Sequence, residues 1–185
     1  MRIEPLGIAG AALVHLDHAR DERGFYLRTF DRRDFAAAGL DPVVAQAGMS
    51  YNARAGTVRG MHYQVMPGQE AKLVRCLRGE ILDVLIDLRP DSPTRLQSYG
   101  VRLIAAEATA LYIPPLCAHG FQTLVDDTEV SYQMTNDYRP DVERGLRHDD
   151  PALHLEWPLA VSVISAKDRA WPLIGEPAQD VQRQA

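Results

Sequence analysis

From residue 43 to residue 135, apolar and polar residues alternate in short runs that end at glycine, proline, aspartate or asparagine. A period of two belongs to strands that turn one face to a core and the other away from it. It predicts strands over residues 43–51, 57–64, 72–77, 81–88, 97–103, 110–113, 120–124 and 129–135. Upstream, residues 13–19 and 24–30 alternate around Asp21-Glu22-Arg23-Gly24, which predicts a hairpin at or near a sheet edge. Helix signals are few: Asp31 can cap a short helix over residues 32–38, ended by Gly39 and Asp41-Pro42. Short strands at regular spacing predict an all-β sandwich or barrel of jelly-roll type with short peripheral helices. The tail after Asp137 is rich in proline, aspartate and arginine and is expected to wrap the barrel, with Trp157-Pro158-Leu159 and Trp171-Pro172-Leu173 as apolar anchors and a frayed last ten or so residues.

A chain of 185 residues, 46% of them hydrophobic, suffices for one domain with a substantial core and is short for two. The net charge of -5 and the absence of any basic run longer than two residues argue against a nucleic-acid partner. No apolar run approaches the roughly 18 residues of a membrane span, and the first residues lack the layout of a secretory signal. The expectation is a soluble cytoplasmic protein without a membrane partner. Cys76 and Cys117 lie in apolar settings and read as buried, reduced thiols rather than a disulfide framework.

Chemistry-bearing residues concentrate between Gly56 and Thr94, where Arg59, His62, Gln64, Glu70, Lys72 and Asp83 interrupt apolar runs. Gly56, His62, Gln64, Glu70 and Gly79 resemble the first motif of the metal-binding cupin barrels, and the segment from Pro114 to His119 resembles a second one. Gln64 stands where that motif has its second histidine, and an amide oxygen is a much weaker ligand than imidazole, so the barrel is expected without a metal. A metal-dependent cupin using His62, Gln64, Glu70 and His119 is the rival enzyme reading, and a non-catalytic sugar-nucleotide binder a third. Arg59 and Lys72 suit an anionic or carbonyl-bearing ligand, or else ion pairs with Glu70, Glu80 or Asp83. Tyr132 adds a phenol and Asp168 a carboxylate, a possible acid and a possible orienter for a histidine.

Six separated motifs then occur in order: VRGMHYQ, KLVRCLRGEILDVLIDLRPDSPT, YIPPLCAHGFQTL, YQMTNDY, ERGLRHDDPAL and ISAKDRAWPL. Together they resemble the dTDP-4-dehydrorhamnose 3,5-epimerase family over about residues 21–174. The resemblance implies a cofactor-free epimerase on a cupin-like jelly roll, commonly a homodimer, acting on a nucleotide-diphosphate 4-keto-6-deoxyhexose. Carried over by motif, His62 is the general base, Asp168 orients it, Lys72 stabilises an enolate oxygen and Tyr132 delivers a proton to the opposite ring face. His119 contacts the sugar, Arg59 and Lys167 the diphosphate, Tyr138 the base by stacking, and Glu143 hydrogen-bonds the ligand or pairs with Arg144 or Arg147. In the early motif RGFYLRTF, Arg23 meets phosphate and Phe25 covers the base in the partner subunit's site. Arg28 replaces a family glutamate that faces thymine. Because arginine only donates, it would suit cytosine or guanine, unless it turns to Asp31 or Asp34. Gln46 and Ser50 keep two positions of a family Gln-x-Asn-x-Ser segment, with Gly48 where the asparagine stands. A relative acting as a 3,4-ketoisomerase, or on a CDP- or GDP-linked sugar, shares the same motifs.

Overall fold

In the computed structural model, residues 1–175 are described. The strands are, in chain order, β1 Arg2–Pro5, β2 Ala12–His15, β3 His18–Asp21, β4 Gly24–Leu27, β5 Gln46–Asn52, β6 Val58–Gln64 and β7 Lys72–Arg78. They continue with β8 Glu80–Asp87, β9 Ser98–Ile104, β10 Thr109–Ile113, β11 Cys117–Thr123, β12 Thr128–Met134 and β13 Glu143–Gly145. Two helices are short, α1 Arg32–Ala37 and α2 Ala166–Arg169. A six-stranded antiparallel sheet runs β1-β2-β10-β7-β12-β5, and a five-stranded one runs β13-β6-β11-β8-β9. The fold is all-β, a cupin-like jelly roll.

The two sheets face each other across a core containing Val74, Cys76, Leu111 and Val130 from the first and Leu85, Leu103 and Phe121 from the second. β8 and β11 are buried on nearly all of both faces because the second sheet is also covered from outside. Met61, Val84, Ile86 and Ala118 pack there against Leu146, Leu153, Leu155, Trp157 and Ile174 of the tail. The tail thus wraps the barrel as its composition predicts, anchored in part by the Trp157 Nε1–H donating to His148 O at 2.8 Å. The expected fraying at the end of the chain lies outside the described residues.

One irregularity decides what faces the interior. β11 pairs with β6 through His119 opposite His62 and Phe121 opposite Arg59, so two steps on one strand match three on the other. That bulge places Arg59 and His62, an odd distance apart, on the same inner face. Gly60 sits inside it at φ 119°, and a Cβ there would stand 2.5 Å from Gly120 Cα. Only glycine allows both the conformation and the close approach.

The hairpin β3-β4 forms around the predicted turn at Glu22-Arg23, but as a two-stranded sheet of its own rather than at the edge of a larger one. The run 13–19 does not stay whole, however: β2 joins the large sheet and the chain breaks at Leu16-Asp17 before β3. α1 is capped by Asp31, whose side chain accepts from the backbone of Arg33 and Asp34. Both cysteines are free and buried, and burial pushes their thiols up, to about 11 for Cys76 and about 12 for Cys117, which leaves them unreactive. Among the described residues no helix is long and apolar enough to cross a membrane.

Candidate active site

At one end of the barrel the sheets part around a cavity of about 560 Å³. Ser50, Arg59, His62, Lys72, His119, Tyr132, Tyr138, Glu143, Lys167 and Asp168 all line it. Arg23, Phe25, Arg28 and Gln46 do not.

His62 Nε2 lies 2.6 Å from Asp168 Oδ1, and the imidazole keeps part of its surface open to the cavity. Asp168 is buried in α2, where its N–H is capped by Ser165 Oγ at 3.0 Å, and its second oxygen accepts from Gly60 N–H at 3.3 Å. Burial is the largest influence and acts to raise its pKa, but the His62 bond and the attraction of that ring, with the bonds to Gly60 N–H and Ser165, together outweigh it and hold the carboxyl below its ordinary value of 3.8. An ionised carboxylate only accepts, so the His62 proton resides on Nε2 and Nδ1 is left with its lone pair. The edge of Trp171 closes one side of the imidazole, with ring centroids 6.3 Å apart. Gly145, opposite His62 on β13, makes that seat: a Cβ there would lie 2.4 Å from the indole.

Across the cavity, β7 contributes Lys72, whose Nζ is 3.5 Å from Glu70 Oε1 and 3.4 Å from His62 O. Burial lowers the ammonium's pKa while Glu70 opposes the shift, and burial raises that of Glu70 in turn. β12 contributes Tyr132, whose Oη is 2.8 Å from Ser50 Oγ. Burial pushes the phenol up to about 12, so it enters neutral pH fully protonated. Deeper in the barrel, His119 Nδ1 is 3.0 Å from Asp83 Oδ1, both groups buried. Burial lowers the imidazole and raises the carboxyl, and Asp83 Oδ2 has no hydrogen-bond partner.

At the rim Glu143 takes both oxygens to Lys167 Nζ at 2.6 Å and accepts from Tyr138 Oη at 2.8 Å. Its partner is therefore Lys167 rather than Arg144 or Arg147. Gln46 acts from behind the rim, its Oε1 accepting from Tyr138 N–H at 2.8 Å. Arg59 Nε donates to Asn52 Oδ1 at 2.7 Å.

The early motif stands apart from this cavity. Arg23 is paired with Asp21 at 2.5 Å, Phe25 is 56% exposed against the edge of His18, and Arg28 donates to Asp31 at 2.6 Å. Gly48 lies opposite Tyr132, with nothing within 4 Å of where its Cβ would be.

A cupin metal does not fit these side chains. Gln64 spends its amide on the backbone, donating to Gly68 O and Asp137 O and accepting from Arg139 N–H at 2.6 Å. Among the described residues no three His, Cys, Asp or Glu converge as ligands. The sequence pattern marks Asp83 as chemistry-bearing without giving it a partner among the histidines, leaves Asn52 unmarked and presents Trp171 only as an anchor. The parity that Asn52 shares with Ser50 on β5 was the one available signal.

A jelly roll whose cavity brings a carboxylate-held imidazole opposite a protonated phenol is built for proton transfer at a bound ligand, the chemistry of an isomerase rather than of a simple binder. Comparison narrows this. A family model described as dTDP-4-dehydrorhamnose 3,5-epimerase matches residues 5–176. A dTDP-4-dehydrorhamnose 3,5-epimerase of Sinorhizobium fredii is 37% identical over 95% of this chain and 91% of its own. A dTDP-4-dehydrorhamnose 3-epimerase of Streptomyces niveus is 36% identical over 95% of this chain and 85% of its own. The crystal structure of the Bacillus anthracis 3,5-epimerase with TDP and PPi bound superposes with a TM-score of 0.90 at 35% identity, covering 94% of this chain and 99% of that one. The chain belongs to the dTDP-4-dehydrorhamnose 3,5-epimerase family and is an epimerase.

Proposed function

We propose that the protein epimerises a dTDP-linked 4-keto-6-deoxyhexose at C3, C5 or both. The C4 ketone acidifies the hydrogens on both neighbouring carbons, so a proton removed from one ring face and returned to the other inverts the centre with no change in oxidation state. His62 Nδ1 takes the proton, and Asp168 holds the imidazole in that tautomer and stabilises the imidazolium that forms. Lys72 stabilises the enolate oxygen at C4 as a point charge, worth most in a site shielded from water. Tyr132, on the opposite sheet, supplies the returning proton. The observation that carries this reading is the 2.6 Å contact between His62 and an ionised Asp168, facing Tyr132 across one cavity.

Arg59 and Lys167 bind the diphosphate at the cavity mouth, Tyr138 stacks on the base, and Glu143 holds Lys167 and Tyr138 together while offering an oxygen to the ligand. His119 contacts the sugar from the barrel floor, with Ser50 beside Tyr132 and Gln46 fixing the Tyr138 loop. Arg23, Phe25 and Arg28 act in a homodimer, Arg23 and Phe25 reaching the partner's phosphate and base. Support comes from large side chains left exposed, Phe25 and Tyr26 on β4 and Met49 and Tyr51 on β5, which a second copy would cover. A single domain accords with the core that joins both sheets among the described residues and with a family match over residues 5–176. A cytoplasmic location accords with a nucleotide-sugar substrate.

The test is incubation with dTDP-4-keto-6-deoxyglucose in deuterated water, following both carbons by NMR. Exchange at C3 or C5 is expected. Exchange at neither carbon, with folded protein, overturns the reading. Sedimentation of the free protein as a monomer at micromolar concentration would remove the partner's share of the site.

A further inference from the structure

Asn52, at the end of β5, is buried and hydrogen-bonded at both ends of its amide. Its Oδ1 accepts from Arg59 Nε at 2.7 Å, and its Nδ2 donates to Thr128 O at 3.1 Å. A guanidinium only donates and a carbonyl only accepts, so these two partners fix which way the amide points. Its Nδ2 then also faces Ser50 Oγ, at 3.4 Å. Ser50 therefore receives a hydrogen on that side, and its own hydroxyl hydrogen is free for its other partner, Tyr132 Oη at 2.8 Å.

We infer that Asn52 and Ser50 are positioning residues that set the polarity of Tyr132: Ser50 donates to the phenol oxygen, which leaves the Tyr132 O–H pointing into the cavity at the substrate. The inference rests on the proton-donor role proposed above for Tyr132. In the donating step the Tyr132 O–H bond breaks, the enolate's electron pair forms the new C–H bond, and the charge passes to the phenolate oxygen. The hydrogen bond already donated by Ser50 stabilises that phenolate, as charge-assisted bonds are stronger than neutral ones. Water then returns a proton to the phenolate, and His62 releases to water the proton it took. Arg59 enters the same chain from the cavity mouth, so the residue proposed to grip the diphosphate also pins the amide that orients the acid.

Asn52→Asp tests the polarity in nearly the same shape. The introduced carboxylate still accepts from Arg59 but cannot donate to Ser50, which would turn its own hydrogen toward that carboxylate and draw the Tyr132 proton to itself. With dTDP-4-keto-6-deoxyglucose in deuterated water, His62 can still remove and return a proton on its own face. Exchange with retention therefore continues while inversion fails. The expected result for Asn52→Asp and Ser50→Ala is a fall of about tenfold or more in the ratio of inversion to exchange, with KM unchanged and recovery in Ser50→Thr. Inversion at the wild-type ratio in both variants overturns the inference, as does a parallel loss of exchange and inversion with raised KM, which marks a substrate contact or a damaged fold. Tyr132→Phe separates the layers. If it inverts normally, the donor role itself falls; if it alone loses inversion, that role stands and the positioning chain falls.

Discussion

The cavity holds two imidazole–carboxylate pairs, and they differ in depth. His62 and Asp168 meet at the mouth, with the ring partly open and the carboxylate held ionised by the ring and by Gly60 N–H. His119 and Asp83 meet on the floor, where burial pushes the imidazole down and the carboxyl up, so that each charged form is disfavoured. A general base must gain and lose a proton in every turnover, which requires a charged form the site can tolerate and a route to water. The ring of the outer pair is partly open to the cavity, whereas that of the inner pair is nearly closed off. The same two residue types thus suit the proposed proton shuttle at one depth and a fixed polar contact at the other.

The comparison breaks most sharply by removing each imidazole in turn. His62→Asn should lower isotope exchange at the reacting carbons on the order of 10³-fold, whereas His119→Asn should cost about tenfold, expressed mainly in KM. Equal losses in kcat for the two variants would erase the distinction. Asp168→Asn comes next. An amide at that position can donate to Nε2 and so stabilise the wrong tautomer, and kcat should fall on the order of 10²-fold with KM little changed.

How much of this was legible in the sequence depends on the range of the interaction. The eight strands predicted between residues 43 and 135 correspond to β5 through β12, with ends shifted by a few residues, because alternation and turn residues are local signals. β13, with three residues, and α2, with four, are too short to carry a period, yet they place Gly145 and Asp168 beside His62. The bulge that turns Arg59 inward depends on how β6 meets β11, which no period reveals. Asp83 interrupts an apolar run and is marked by that, but that it sits buried behind His119 follows only from the pairing of β8 with β11. The link between His62 and Asp168 spans 106 positions and was available only through resemblance to a family.

Stability should separate the pairs in the opposite order from activity. Asp83→Leu leaves His119 buried with an unpaired ring nitrogen, and stranding a buried polar group in this way costs about 2 kcal/mol. Asp168→Asn keeps a hydrogen-bonding group at a site nearer water and should cost about 1 kcal/mol. Urea unfolding of both variants reads the difference, and a larger loss for Asp168→Asn would contradict the assignment of the inner pair to the core.

The smallest effect is on acid stability and concerns the outer pair alone. Asp168 in the folded chain has a pKa below its ordinary 3.8, because burial, which acts to raise it, is outweighed by His62, Gly60 N–H and Ser165 acting together. As pH falls below 3.8 the unfolded chain takes up this proton before the folded one does. The stabilisation is therefore complete above that value and is lost as pH drops through the folded pKa. Asp168→Asn has no such proton to bind, so its urea midpoint should fall less steeply than that of the wild type across the same acid range. Parallel curves would mean that the carboxylate gains nothing from His62 in the folded state, and the mouth of the barrel would then lose the feature that sets it apart from the floor.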